Sequence, residues 1–216
     1  MTRALVIGAS GGIGAALAAR LADDYDVVGL SRRDDRLDVT DPASVSRHVG
    51  AVEGPIGLAM IATGILAPEG HRPEKALDQI DAAAMARTFA VNAIGPALIL
   101  ASLAPKLADD ARVGVLTARV GSIGDNGIGG WYSYRAAKAA ANQIVRTAAI
   151  EIGRKRKAAV VVALHPGTVE TPFTEGYKAP KVAARDAAAN LVRVLTALTP
   201  AQTGGFYDYA GEAIEW

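Results

Sequence analysis

The 216-residue chain contains no cysteine, which excludes disulfides, thiolate metal sites and a cysteine nucleophile, and is compatible with the expected cytoplasmic location. Histidine is scarce too. His48, His71 and His165 are scattered along the chain, so an imidazole-based metal centre is not expected. An excess of one charge is also missing: 23 lysines and arginines face 22 acidic residues, for a formal net charge of +1. With both signs interspersed, nothing electrostatic argues for a nucleic-acid or membrane partner. The basic cluster Arg154 to Lys157 falls where a helix is expected to end and reads as compensation of the helix dipole. No charged leader with an apolar core and cleavage site is expected, and no apolar run is expected to reach the length of a membrane span. Repeats, linkers and low-complexity segments are absent. Half of the residues are hydrophobic, enough for a full core, and residues 1–216 are expected to form a single domain.

What is present centres on Gly129 to Asn142, GGWYSYRAAKAAAN. Its alanine-rich run favours a helix on which Tyr134 and Lys138, spaced i and i+4, share one face. A phenol is a poor acid and a worse base at neutral pH, but an adjacent ammonium favours the phenolate, which makes a tyrosine usable in general acid–base chemistry. Such pairs also arise by accident. Tyr177 and Lys181 repeat the spacing, but Pro180 between them denies that pair a helix.

The rest of the chain gives this pair its setting. Ala4 to Ile7 is an apolar run ending at Gly8, and Ile13 to Ala22 is rich in alanine and leucine, which predicts strand, glycine turn and helix. Between them, Gly8, Ser10, Gly11, Gly12, Ile13 and Gly14 form a turn with few side chains to hold a pyrophosphate off the backbone and the helix N-terminus. The spacing is Gly-x-x-x-Gly-x-Gly, so the strand-to-helix context carries more weight than the motif. Gly8 to Gly12 also fits Gly-x-Ser-x-Gly, with Ser10 as a hydrolase nucleophile. That elbow normally follows an inner strand well into a chain, and its histidine would have to be His165, which has no evident partner acid.

Asp26 to Leu30 predicts a second strand, followed by Ser31, Arg32 and Arg33 where a dinucleotide fold reads the ribose. Two arginines suit a 2′-phosphate and favour NADP over NAD; as ordinary loop charges they would say nothing about the cofactor. Asp38 and Val39 are expected to close a third short strand, with Asp38 available to an adenine amino group. Asp41 caps a helix to about Gly50 that has Pro42 in first position. Gly57 to Ala62 predicts a fourth strand, and Thr63 and Gly64 after Ala62 leave room for a cofactor ribose. Residues 65 to 77 read as a surface excursion.

From Asp81 a long apolar helix is expected to reach about Leu107, interrupted at Asn92 and at Gly95-Pro96. Asn92 is either a satisfied structural residue or the holder of a backbone turn or of a water near Lys138. Arg112 to Leu116 predicts a fifth strand ending at Thr117-Ala118-Arg119, and a glycine-rich loop from Gly121 to Gly130 leads into the tyrosine helix. Ala158 to Leu164 predicts a sixth strand, followed by His165, Pro166, Gly167, Thr168, Val169 and Thr171, which either meet a nicotinamide carboxamide or form a generic turn. Lys181 to Leu198 reads as a last helix and Gly205 to Tyr209 as a last strand. About seven strands alternating with helices predict an α/β fold: a Rossmann-like, doubly wound parallel sheet in three α/β/α layers. The polar features collect at the carboxyl ends of the strands, along one crevice.

In order, the Gly8, Gly12, Gly14 turn, Asn92, Tyr134 with Lys138, and Pro166-Gly167 with Thr171 resemble the short-chain dehydrogenase/reductase family, over essentially the whole chain. Gly121-Ser122-Ile123, the Tyr-Arg-Ala-Ala-Lys run, Val91 to Pro96 and the ending at Trp216 look most like its C-factor and Sniffer-like carbonyl reductase branch. The resemblance implies hydride transfer between the nicotinamide C4 of NADPH and a carbonyl carbon of a small-molecule aldehyde, ketone or alcohol. Tyr134 would give or take the proton on oxygen; Lys138 would lower its pKa and hold the nicotinamide ribose; Asn92 would fix a water relaying protons to Lys138. It also implies a homodimer or homotetramer, built on the helices starting near Asp81 and Trp131.

Two departures stand out. The family usually ends strand five in Ser-Ser, the second serine orienting the substrate carbonyl, and here the pair is Thr117-Ala118. Either Ser122 or Thr117 takes that role from a shifted position, or the chain lacks a normal carbonyl-polarising group, which is the motive for the alternative of a dinucleotide-binding signalling or regulatory protein with weak or no catalysis. The family's Asn-Asn-Ala-Gly becomes Ile61-Ala62-Thr63-Gly64, which keeps the glycine and loses the amides. The short segment after Thr171 leaves little chain for a lid, and an open pocket is expected.

Overall fold

A computed structural model describes residues 1–176 and 180–216; the second tyrosine–lysine pair, which includes Tyr177, falls outside them. In chain order the elements are β1 (Arg3–Ile7), α1 (Gly12–Leu21), β2 (Asp26–Leu30), α2 (Arg32–Asp35), α3 (Pro42–Ala51), β3 (Ile56–Ile61), α4 (Ala82–Phe89), α5 (Gly95–Leu103), β4 (Leu107–Leu116), α6 (Tyr132–Lys155), β5 (Val160–His165), α7 (Ala184–Ala197) and β6 (Phe206–Asp208). The strands form one parallel sheet in the order β2-β1-β3-β4-β5-β6.

Strand sequences buried on both faces explain the layers. Leu5 and Ile7 of β1 join a core with Val45 and Val49 of α3, Ile99 and Leu103 of α5 and Val145 of α6. Ala4 and Val6, pointing the other way, join Leu17 and Leu21 of α1 and Leu191 and Leu195 of α7. Each of these fully buried leucines and isoleucines contributes about 1.5–3 kcal/mol. The chain leaves β1 toward β2 on one side and returns to β3 on the other, so the loops after β1 and β3 part and open a crevice at their carboxyl ends.

Three expectations need correction. The sheet has six strands rather than about seven, because Asp38 and Val39 form none. The Asp38 carboxylate instead folds onto Thr40, accepting from its amide at 2.9 Å and its hydroxyl at 2.7 Å, while Arg36 turns through a left-handed φ of 61°. The last helix starts at Ala184 rather than Lys181, since Val182 is taken up in a bridge to Val169. And the helical run Ala82–Lys106 is, by length and composition, long and apolar enough to cross a membrane. Half of its apolar window is buried inside the fold, where α5 packs on α3 and α6, as a core helix does.

Candidate active site

The glycine turn is built by close approach. Gly8 turns at φ +90°, a conformation natural to glycine, and a Cβ on it would lie 2.8 Å from the Ala62 carbonyl oxygen. A Cβ on Gly14 would overlap the Gly8 carbonyl, and one on Gly12 would meet the Thr171 methyl at 2.6 Å. Behind the turn, α1 begins at Gly12 with no side-chain cap and no acidic residue in its first turn. Its N-terminal amides therefore face a cradle suited to an anion.

That cradle opens into a cleft of about 680 Å³. Of the expected site residues, Ser10, Gly11, Gly12, Ile13, Gly14, Ala62, Thr63, Gly64, Thr117, Tyr134, Lys138, Pro166, Gly167, Thr168, Val169 and Thr171 all line it. Tyr134 and Lys138 stand in the first two turns of α6, with the Lys138 Nζ 5.8 Å from the Tyr134 ring centroid. Both are buried, and Nζ donates to the Leu116 carbonyl at 2.9 Å. Burial lowers the Lys138 pKa to about 8. Gly121 lets the preceding loop press against α6, since a Cβ there would lie 2.9 Å from the Lys138 backbone.

Asn92 is wholly buried in a π-helical turn, Ala90–Ile94, between α4 and α5. Its Oδ1 accepts from the Ile65 amide at 2.9 Å and its Nδ2 donates to the Ile65 carbonyl at 2.8 Å. A Cβ on Gly64 would lie 3.1 Å from Asn92 Oδ1 and 3.4 Å from Lys138 Nζ, so the clamp on the backbone turn sits beside the lysine. The two candidate hydroxyls separate. Ser122 accepts from the Asp125 amide at 3.0 Å and is not among the residues lining the cleft, whereas the Thr117 Oγ1 faces no hydrogen-bond partner although buried. The Thr63 Oγ1 is buried without a partner as well. The hydrolase reading finds no support, since the His165 Nδ1 has no partner and no hydrogen bond joins it to Ser10 among the described residues.

The family model described as short chain dehydrogenase matches residues 2–181. The chain belongs to the short-chain dehydrogenase family. Its members are oxidoreductases acting on CH–OH and C=O groups. The C-signal of Myxococcus xanthus is 38% identical over 143 residues, covering 65% of this dehydrogenase and 84% of that protein. A short-chain dehydrogenase/reductase from Burkholderia multivorans with bound NADP superposes with a TM-score of 0.85 at 25% identity, covering 100% of this chain and 99% of that one. The carbonyl reductase Sniffer of D. melanogaster gives a TM-score of 0.85 at 20% identity, with each chain covered in full, a likeness of fold.

At the end of β2, local contacts hold the residues expected to read the ribose. Ser31 caps a four-residue helix, α2: its hydroxyl accepts from the Asp34 amide at 3.0 Å and donates to the Asp34 carboxylate at 3.0 Å, while its own amide donates to Asp35 at 2.7 Å. Arg33 is exposed and pairs with Asp34 at 2.9 Å, which holds the Asp34 carboxyl below its usual range. Arg32 acts from nearby on Asp38, whose carboxyl is held low chiefly by the Thr40 hydroxyl. Ser31, Arg32, Arg33, Asp38 and Val39 are not among the residues lining the cleft of about 680 Å³.

The cleft also gathers residues that sequence reasoning passed over, among them Arg119, Asp125, Ile128, Trp131, Arg135 and Phe173. Arg119 bridges Asp208 at 3.1 Å and Asp125 at 3.7 Å. His165 lies close to that pair, and burial first, then the Arg119 charge, lowers its pKa to about 4. Its imidazole is therefore neutral at physiological pH.

Proposed function

We propose that this short-chain dehydrogenase is an NADP(H)-dependent oxidoreductase that reduces an aldehyde or ketone to an alcohol, or runs the reverse. The carrying observation is that Tyr134 and Lys138 stand side by side in the wall of the cleft whose other end is the glycine turn. The residues fit the cofactor: the cradle at Gly8, Gly12 and Gly14 has no room for side chains, and α1 offers uncapped amides to a pyrophosphate. Gly64, Lys138, Thr168 and Thr171 would hold its nicotinamide half, and Arg32, with Arg33 once released from Asp34, would hold the 2′-phosphate. When bound, NADPH supplies a hydride to the carbonyl carbon.

The chain's own part is the proton and the orientation. Tyr134 gives its phenolic proton to the substrate oxygen, and the Lys138 ammonium, buried with one carbonyl acceptor, stabilises the phenolate left behind. Thr117 Oγ1, buried and unpartnered, serves as the donor that polarises the substrate carbonyl in place of the hydroxyl that Ala118 lacks. The Asn92 clamp fixes the backbone turn at Ile65 beside the lysine.

A second reading has its own support. The C-signal is 38% identical over 143 residues, and Ala118 removes a hydroxyl from the reacting end. In that reading the chain binds the dinucleotide and signals, with little turnover. NADPH oxidation over a panel of aldehydes, ketones and quinones, compared with Tyr134→Phe, separates the two. Turnover reduced at least 100-fold by the substitution is expected. NADP binding without turnover on any substrate would support the second reading, and an undiminished Tyr134→Phe protein would refute the mechanism.

A further inference from the structure

α6 begins without a conventional cap. Its N-cap position is Trp131, in the left-handed conformation at φ 54°, with no side-chain hydrogen bond to the first turn. A non-glycine residue held there costs about 1–2 kcal/mol, and persists where its surroundings over-determine it. Those surroundings come from one residue of the 65–77 excursion. The Glu74 carbonyl accepts from the Trp131 amide at 2.5 Å, and the Glu74 carboxylate accepts from the Ser133 amide at 3.1 Å and from the Ser133 hydroxyl. Glu74 is 7% exposed. Burial alone would raise its carboxyl pKa, but the hydrogen bonds from Ser133 and from its own amide hold it below the usual range.

The two residues it grips both adjoin the reacting group. Ser133 immediately precedes Tyr134, and the Trp131 ring meets the Tyr134 ring edge-on, with centroids 6.1 Å apart at 75°. The excursion is also fastened at its start, where Asn92 clamps Ile65. We propose that Glu74 is a positioning residue for Tyr134: a carboxylate supplied from 59 residues away that caps the catalytic helix and fixes the direction of the phenol. The inference rests on the reading of Tyr134 as the proton donor.

Small displacements of a reacting group cost about 10- to 100-fold in rate, and Glu74→Ala removes the carboxylate anchor. Glu74→Gln can keep both bonds, its carbonyl accepting from the Ser133 amide and its NH₂ donating to the hydroxyl. Steady-state carbonyl reduction by the full chain is expected to show kcat at least tenfold lower in Glu74→Ala, KM for NADPH within twofold of wild type, and kcat restored to within threefold in Glu74→Gln. Should Glu74→Ala fail to fold, Ser133→Ala, which removes the hydroxyl bond alone, is expected to lower kcat at least threefold with the same KM pattern. The inference falls if kcat in the alanine variant stays within twofold, if glutamine loses as much as alanine, or if KM for NADPH rises in step. Tyr134→Phe run alongside separates the two levels: an active phenylalanine variant overturns the role of Tyr134, whereas an inactive one beside a fully active Glu74→Ala overturns only the role of Glu74.

Discussion

The buried lysine makes a quantitative prediction that needs no substrate. Lys138 carries its charge in an apolar setting with the Leu116 carbonyl as acceptor, and its pKa falls from 10.5 to about 8 on folding. Between those values the unfolded chain binds more protons than the folded one, so this group makes stability rise with pH across that window and withholds the gain below about pH 8. Integrating the linkage relation from pH 7 to pH 10 gives about 2.5 kcal/mol. Lys138→Met removes the titration. It also leaves the Leu116 carbonyl short of a donor, at a cost of about 1 kcal/mol that does not vary with pH. Urea unfolding of the cofactor-free protein, wild type against Lys138→Met, at half-unit steps from pH 7 to 10, is the assay. The stability difference should shift by about 2–3 kcal/mol in favour of wild type as pH rises. A difference flat to within about 0.5 kcal/mol would mean that the ammonium is solvated or paired in the native state, and the burial argument would fail.

Other substitutions probe the cleft and the residues around it. Asn92→Ala strands the amide and carbonyl of Ile65; thermal or urea unfolding should register a loss of about 2–4 kcal/mol, and turnover should fall with it. Ala118→Ser returns a hydroxyl to the cleft wall, but with Thr117 already supplying the donor kcat for carbonyl reduction should stay within about threefold; a rise of about 100- to 1,000-fold, the worth of one such donor at about 2.7–4 kcal/mol, would mean that Thr117 does not fill the role. Arg32→Ala combined with Arg33→Ala should weaken NADP binding at least tenfold more than NAD binding, measured by calorimetry; equal weakening would leave the pair as loop charges.

The parts of the fold that sequence made legible are those fixed by local rules. Asp41 does cap α3, accepting from the Ala43 and Ser44 amides at 3.0 and 3.2 Å with Pro42 first in the helix, and the interruption expected at Asn92 is present as a π-helical turn. Other local signals were readable but unread. Ser31-Arg32-Arg33-Asp34 has the spacing of a capping box, and Asp38-Val39-Thr40 that of an Asx turn; both outrank the strand expected at Asp38. The remainder was not legible because it depends on distant pairing: Glu74 on Ser133, Arg119 on Asp208, and Gly64 wedged between Asn92 and Lys138. No periodicity or spacing encodes such meetings; they exist only once the sheet brings its strand ends to one rim.

The contact between Gly12 and the Thr171 methyl carries a consequence for redesign. The turn that would grip the phosphates and the loop that would flank the reacting ring touch directly, with no space between them for even one carbon atom. Any bulk added at the first to alter anion recognition must shove the second aside. An engineer swapping one dinucleotide for another would do better to work outward at Arg32 and leave this junction untouched.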